Sequence, residues 1–314
     1  MSKLAVVAFG GNALLRANQK GTAEEQEQNS YETCKNLVPM IKNGEKLIIT
    51  HGNGPQVGNI YLRSDAGHSV YKLPKMPLDI SVADSQGEIG YMIERQMRNV
   101  LREEGIDRKV ITILTQVHVD KEDEAFKEPT KPVGSYYLKE EADLLAKASN
   151  LQFKEDARKR GWRRVVASPK PLDVLNSDVI KELAEDGYIV IAVGGGGIPV
   201  YLDEKGDYRP VEDAVIDKDL ASALLASQIK ADQFFILTDV PKVYINFNTK
   251  DQKELDDLKV ADANKYLESG EFGTGSMKPK VMAAIDFVNS SGGETIITEA
   301  SQLNTENQGT RIIP

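Results

Sequence analysis

Three hydrophobic runs in this chain end in glycine. Leu4–Phe9 breaks into Gly10-Gly11-Asn12, Leu47–Thr50 into His51-Gly52-Asn53-Gly54-Pro55, and Tyr188–Val193 into four glycines, Gly194 to Gly197. A buried strand that ends in glycine exposes bare backbone N–H groups at its carboxyl end, and such groups hold anions, above all where a helix follows. Three lysines complement those loops. Lys218 stands in Val215-Ile216-Asp217-Lys218-Asp219, at an expected helix start, and Lys280 in the first turn of the last expected helix. Lys131 lies between Pro129 and Pro132, which stiffen the backbone around it. A lysine at a helix N-terminus opposes the helix dipole unless an anion sits there as well.

Other chemistries lack their residues. Nothing fits G-x-x-x-x-G-K-[ST]; the nearest stretch, Gly270 to Met277, has Ser276 where lysine is required. Gly194–Gly197 runs on into Ile198-Pro199-Val200 and not into a helix, which rules out a dinucleotide fingerprint. His51, His68 and His118 show no metal-ligand spacing, and no nucleophile elbow or Cys/His pair is present. Anion-binding loops and lysines without a nucleophile suit phosphoryl transfer, where catalysis is mostly positioning plus charge neutralisation. Each residue also has a plain reading. Most lysines are solvated surface charges, Asp217 and Asp219 could be helix caps, Gly-Gly-Asn a tight turn, and His51 an oriented loop residue.

The elements that would position these residues alternate strand and helix along 314 residues, the pattern of an α/β fold. It reads as a three-layer, open, mainly parallel sheet with helices on both faces. Helices are expected over 22–42, 79–104, 174–185, 219–228 and 277–290, and strands over 110–114, 233–237 and 295–298. Gly87 and Gly90, inside the long second helix, are expected to admit another backbone. Residues 118–171 are charged, carry four prolines and break the alternation; they read as a protruding lid subdomain. A net charge of −9 argues against a nucleic-acid surface. Cys34 is the only cysteine, which points to a reducing cytoplasm. No apolar stretch reaches the roughly 20 residues that span a bilayer, and the short N-terminal run reads as a first strand rather than a signal peptide.

At these residues the sequence resembles the carbamate kinases, within the wider amino-acid kinase fold family. The matching stretches are Phe9-Gly10-Gly11-Asn12-Ala13-Leu14, Thr50 to Asn59, Ser85 to Tyr91, Pro129-Thr130-Lys131-Pro132, Gly161 to Val166, Gly194 to Val200, Asp217 to Ser222, and Gly275-Ser276-Met277 with Lys280. The resemblance implies a Mg²⁺-dependent enzyme acting on ATP and carbamate to give ADP and carbamoyl phosphate. It implies that Gly10, Gly11, Asn12, Gly52, Asn53 and Gly54 bind carbamate and the transferring phosphate. Lys131 would reach the carbamate, Lys218 and Lys280 would straddle the phosphoryl group, and Asp219 would orient the lysines. The nucleotide would lie against Gly195, Gly196, Asp217, Thr238, Asp239, Val240, Val243, Tyr244, Ser276 and Met277. No protein ligand for the metal is implied, since Mg²⁺ would ride on the nucleotide phosphates. Two lobes are expected, an acceptor lobe over 1–210 and a nucleotide lobe over 211–314, in a cytoplasmic homodimer of arginine fermentation. Ala157-Arg158-Lys159-Arg160 departs from the family pattern and leaves the lid's shape open. Two other readings stay open at this point: another acyl-phosphate-forming kinase of the same fold, or a catalytically silent nucleotide sensor.

Overall fold

The computed structural model describes residues 2–16, 19–149, 151–156, 159–272, 277–303, 305 and 309–314. The expected first strand is β1 (Leu4–Phe9), every residue of it buried. The helix expected over 22–42 divides into α1 (Ala23–Lys35) and α2 (Val38–Lys42), because Pro39 would clash with a continuous turn before it. Thr22 caps α1 in a reciprocal box with Glu25. After β2 (Lys46–His51) comes a helix outside the expected set, α3 (Gly54–Tyr71), with proline in its first turn. It buries only Gln56, Val57 and Gly58, so no apolar stripe announces it. α4 (Leu78–Glu103) follows, then β3 (Val110–Thr112) and β4 (Gln116–Val119).

The lid is a separate antiparallel sheet of β5 (Lys131–Tyr137), β6 (Gln152–Glu155) and β7 (Trp162–Val166) in the order β5-β7-β6, with α5 (Lys139–Ala148) between β5 and β6. β8 (Pro171–Val174) pairs with β4, so the insertion expected over 118–171 begins and ends inside strands of a second sheet. Next are α6 (Ser177–Glu185), β9 (Ile189–Ile191), β10 (Ile198–Leu202), β11 (Tyr208–Pro210) and α7 (Lys218–Gln228). The second sheet, ordered β11-β10-β4-β8, was not anticipated. The chain continues through β12 (Gln233–Thr238), a hairpin of β13 (Val243–Ile245) and β14 (Lys253–Leu255), and β15 (Asp257–Lys259). It ends with α8 (Val260–Glu268), α9 (Met277–Ser291), β16 (Glu294–Glu299) and β17 (Thr310–Ile313).

The central sheet has eight strands in the order β15-β17-β16-β12-β1-β2-β9-β3, and only β17 against β16 is antiparallel. Two cores follow from the period of two along each strand. Val6, Ala8, Ile48, Val190, Phe234 and Ile236 face the layer holding α6, α7 and α9. Ala5, Val7, Phe9, Leu47, Ile49 and Phe235 face α1, α2 and α4. Cys34 lies wholly inside that second layer, with its thiol 3.9 Å from the Ile93 carbonyl oxygen. Burial pushes its pKa up to about 12. Among the described residues no helix is long and apolar enough to cross a membrane.

The two glycines of α4 behave differently from the expectation. A Cβ on Gly90 would lie 2.3 Å from Thr112 Cγ2, a side chain and not a backbone, while one on Gly87 would meet nothing within 4 Å. Thr112 Oγ1 is also committed, donating to Gly90 O and Glu94 Oε2. Gly87→Ala is therefore expected to stabilise the protein by about 0.5–1 kcal/mol through helix propensity. Gly90→Ala is expected to destabilise it by about 1–3 kcal/mol through overpacking. Urea midpoints of the two variants check this, and equal shifts in one direction would contradict the packing assigned to Gly90.

Candidate active site

β1, β2 and β9 are neighbours in the central sheet, so their glycine-bearing carboxyl ends meet at one edge. There the chain encloses a cavity of about 380 Å³ whose wall includes Gly11, Gly52, Gly54, Gly195, Lys131 and Lys218. Close approach explains the glycines. Gly10 abuts the end of β12, where a Cβ would sit 2.3 Å from the Leu237 carbonyl oxygen. At Gly52 it would press on the stem of Lys218 at 3.2 Å. Gly195, at φ +65°, leaves room for the Asn53 amide, and Gly196, at φ +92°, for the Ile216 carbonyl. The first turns of α3, α7 and α9 all contribute to the wall, through Gly54, Lys218 and Lys280, so three helix N-termini add partial positive charge.

One carboxylate organises the lysines. Asp219 accepts from Lys218 Nζ at 2.5 Å on one oxygen and from Lys280 Nζ at 3.0 Å on the other. It is 3% exposed. Burial alone would raise its pKa, but the two ammonium groups hold it well below the usual carboxylate range. Burial lowers the pKa of Lys218, the neighbouring Lys280 charge adds to that, and Asp219 opposes both. Asp217 does two jobs. Its Oδ1 caps α7, accepting from the Asp219 and Leu220 N–H groups, and its Oδ2 accepts from Lys131 Nζ at 2.6 Å. Lys131 thus reaches from the lid strand β5 onto the body of the protein.

The structure brings Gly11, Gly52, Asn53, Gly54, Gly195, Asp217, Lys131, Lys218, Asp219 and Lys280 to the one cavity. Gly10 and Gly196 stand behind its wall as spacers. Asn12 is described by its backbone, in a short turn spanning Gly11–Ala13. The strip Thr238, Asp239, Val240, Val243 and Tyr244 lies outside the cavity wall and begins at the last residue of β12, the end that Gly10 touches. Val243 in particular is fully buried in the core, its N–H donated to Thr310 Oγ1, so its side chain presents no surface. Met277 opens α9 and packs on the first core. Ser276, and Ala157 and Arg158 of the lid, lie outside the described residues.

Several supports were not anticipated. Gln86 donates to the Thr115 and Gly194 carbonyls at 3.1 and 2.9 Å and accepts from the Thr115 N–H at 2.8 Å, stitching α4 to the glycine run. Asn53 donates to Ser85 Oγ at 2.8 Å. The signal was present in the sequence: Ser85 and Gln86 are polar residues on the buried face of an amphipathic helix. Gln56 is a further one. Gln26 donates to Gly21 O and accepts from Gln56 Nε2, which fixes the amide orientations and leaves Gln56 Oε1 without a partner among the described residues. No group of three or more His, Cys, Asp or Glu able to hold a metal exists among the described residues.

The amino acid kinase family model matches residues 3–299. The chain is 47% identical over 317 residues to a carbamate kinase of Pyrococcus furiosus, covering 100% of both. Two solved structures of carbamate kinase from Giardia lamblia are each 42% identical and superpose with TM-scores of 0.91, bound to citric acid, and 0.90, bound to AMP-PNP. Each comparison covers 99% of this chain and 98% of the other.

His51, at the end of β2, is 1% exposed and sits beneath this edge. Its Nδ1 lies 3.0 Å from the Gly52 carbonyl oxygen and so carries the ring proton. Burial, with the Lys218 charge adding to it, lowers its pKa from 6.5 to about 4. The folded state then holds the ring neutral while the unfolded chain binds a proton between those values. Its contribution is complete above pH 6.5 and is lost as pH falls towards 4. The difference in unfolding free energy between the wild type and His51→Gln is expected to shrink by roughly 3 kcal/mol over that window. Denaturation at a series of pH values measures it, and a flat difference would show that His51 is not held neutral.

Proposed function

The chain belongs to the amino acid kinase family and, within it, to the carbamate kinases, and from that premise we propose how its residues carry out ATP + carbamate ⇌ ADP + carbamoyl phosphate. The observation that carries the reading is the buried Lys218–Asp219–Lys280 arrangement facing a cavity rimmed by glycine N–H groups. Attack of carbamate on ATP brings two anions together. The carbamate oxygen is already ionised, so the chain needs no strong base. Its task is to reduce repulsion. Backbone N–H groups at Gly11, Gly52 and Gly54, with Lys131, hold the acceptor, while Lys218 and Lys280 flank the moving phosphoryl group. Asp219 keeps both ammonium groups aimed inward without reacting itself.

The carboxylates at this wall are already paired with lysines, Asp217 with Lys131 and Asp219 with Lys218 and Lys280. These residues fit a Mg²⁺ carried on the nucleotide rather than one held by the protein. When bound there it would neutralise the distal phosphates. The nucleotide is assigned to Gly195 and Asp217 at its phosphates and to Thr238, Asp239, Val240 and Tyr244, with Ser276 and Met277, at its adenosine, Val243 and Gly196 serving behind them as packing. The AMP-PNP bound by the Giardia relative supports this side of the reading. The lobes proposed at 1–210 and 211–314 would meet between β1 and β12, since each supplies four strands of the eight-stranded sheet. Family likeness further supports a cytoplasmic homodimer that makes ATP in arginine fermentation.

ATP formation from ADP, Mg²⁺ and carbamoyl phosphate is the direct assay. Lys218→Ala and Lys280→Ala are each expected to lower kcat by about 10²-fold or more, as loss of a preorganised charge does; near-normal turnover in both would remove the site assignment.

The acceptor side has its own signature. Lys131→Ala should impair carbamoyl phosphate use strongly while calorimetry shows ADP affinity little changed, and Lys131→Arg should not fully rescue it.

A further inference from the structure

Lys131 sits on β5, which among the described residues is an edge strand of the lid sheet paired with β7. Within that pair Lys131 is opposite Val166, and Val133 is opposite Arg164. Arg164 differs from the other lid cations. It is 6% exposed, yet its Nη2 reaches out of the lid to Asp213 Oδ1, on the segment that leads into Asp217 and Lys218. Its guanidinium lies 4.6 Å from the centre of the Tyr61 ring on α3. Among the described residues its Nε and Nη1 have no hydrogen-bond partner. A buried guanidinium loses its hydration, and one carboxylate plus one aromatic face is incomplete compensation. Such a residue is a poor source of stability and is better explained by what it holds in place.

What it holds is the root of the lid. Ala167, just past β7, bridges to Ala214, and the Val215 N–H donates to the Ala167 carbonyl at 3.0 Å. Val133 and Val166 of the lid share a small core with Val57, Leu78, Val82 and Val215. Gly134 touches α3 so closely that a Cβ on Gly58 would lie 2.5 Å from its Cα. Two ion pairs therefore tie the lid to a single five-residue body segment, Arg164 to Asp213 and Lys131 to Asp217. Lys131 has to exchange its aspartate for the acceptor during turnover, whereas Arg164 stays clear of the cavity wall and can keep its hold.

We propose that Arg164 is a positioning residue for phosphoryl transfer: by clamping β7 to Asp213 and Tyr61 it fixes the register of β5 and so the place of the Lys131 ammonium over the acceptor. This rests on the role given to Lys131 above. The test is a double-mutant cycle in purified full-length enzyme, with Arg164→Met introduced into the wild type and into Lys131→Ala. In the wild type, Arg164→Met is expected to lower kcat/KM for carbamoyl phosphate about tenfold or more while the ADP dissociation constant, by calorimetry, stays within twofold, as for any group acting only through the acceptor side. Arg164→Lys should recover part of the loss, because it keeps a charge for Asp213 but not the stacked plane. In the Lys131→Ala background Arg164→Met should change kcat/KM by less than about twofold. If Arg164→Met does not fold, Asp213→Asn serves in the same cycle, since Asp213 is 66% exposed and its loss leaves the packing intact. Equal losses in both backgrounds would overturn the clamp and leave Lys131 in its role. Normal kinetics in Lys131→Ala alone would overturn the Lys131 assignment, and the clamp with it.

Discussion

The rest of the site depends on a carboxylate shared between two buried ammonium groups. Either lysine alone, at the start of a helix and out of water, would face the helix dipole and a large desolvation cost. Asp219 removes part of both costs and sets the direction of both side chains. It does not cancel them: two positive charges against one negative leave the wall with net positive character, which a phosphoryl group in transit can use. Asp219 is bound to this geometry from within the first turn of α7, which Asp217 caps. The charge arrangement and the helix start are thus one structure.

That constraint explains the arrangement of the larger elements. A parallel sheet places every strand's carboxyl end, and every following helix's N-terminus, on one edge. Neighbouring strands β1, β2 and β9 deliver the glycine loops there, and α3, α7 and α9 deliver their positive ends. The glycines are spacers that let Lys218, Asn53 and the Ile216 carbonyl come close, so the anion-binding backbone and the lysines occupy one small volume. The second sheet, β11-β10-β4-β8, carries the chain away from this edge to the lid and back, which is why the lid can return a lysine to a site otherwise built from the main sheet.

Much of this was legible in the sequence because it rests on local signals. Buried strands ending in glycine read correctly, and Lys218 and Lys280 stood out by opposing a helix dipole. The unread parts are those where tertiary contact overrides local pattern. α3 shows almost no apolar stripe, since one side faces the cavity and the lid rather than a core. Pro39 divides a helix that its flanking residues would continue. Gly87 and Gly90 look alike in sequence, yet only one meets a neighbour. The second sheet pairs β10 with β4, as Ile198 with Gln116, across a separation that no local window contains. Val243 sits in a stretch that resembles a nucleotide site, but strand alternation turns its side chain into the core.

The chain's one thiol lends the molecule a built-in reporter. Cys34 is sealed between α1 and α4 against the second face of the sheet, and burial keeps it protonated and unreactive. The thiolate is the species that alkylating reagents attack. Labelling can therefore proceed only when the α1/α4 layer parts from the sheet, and it measures the opening of that layer apart from any motion of the lid. The layer behind the sheet carries its own clock.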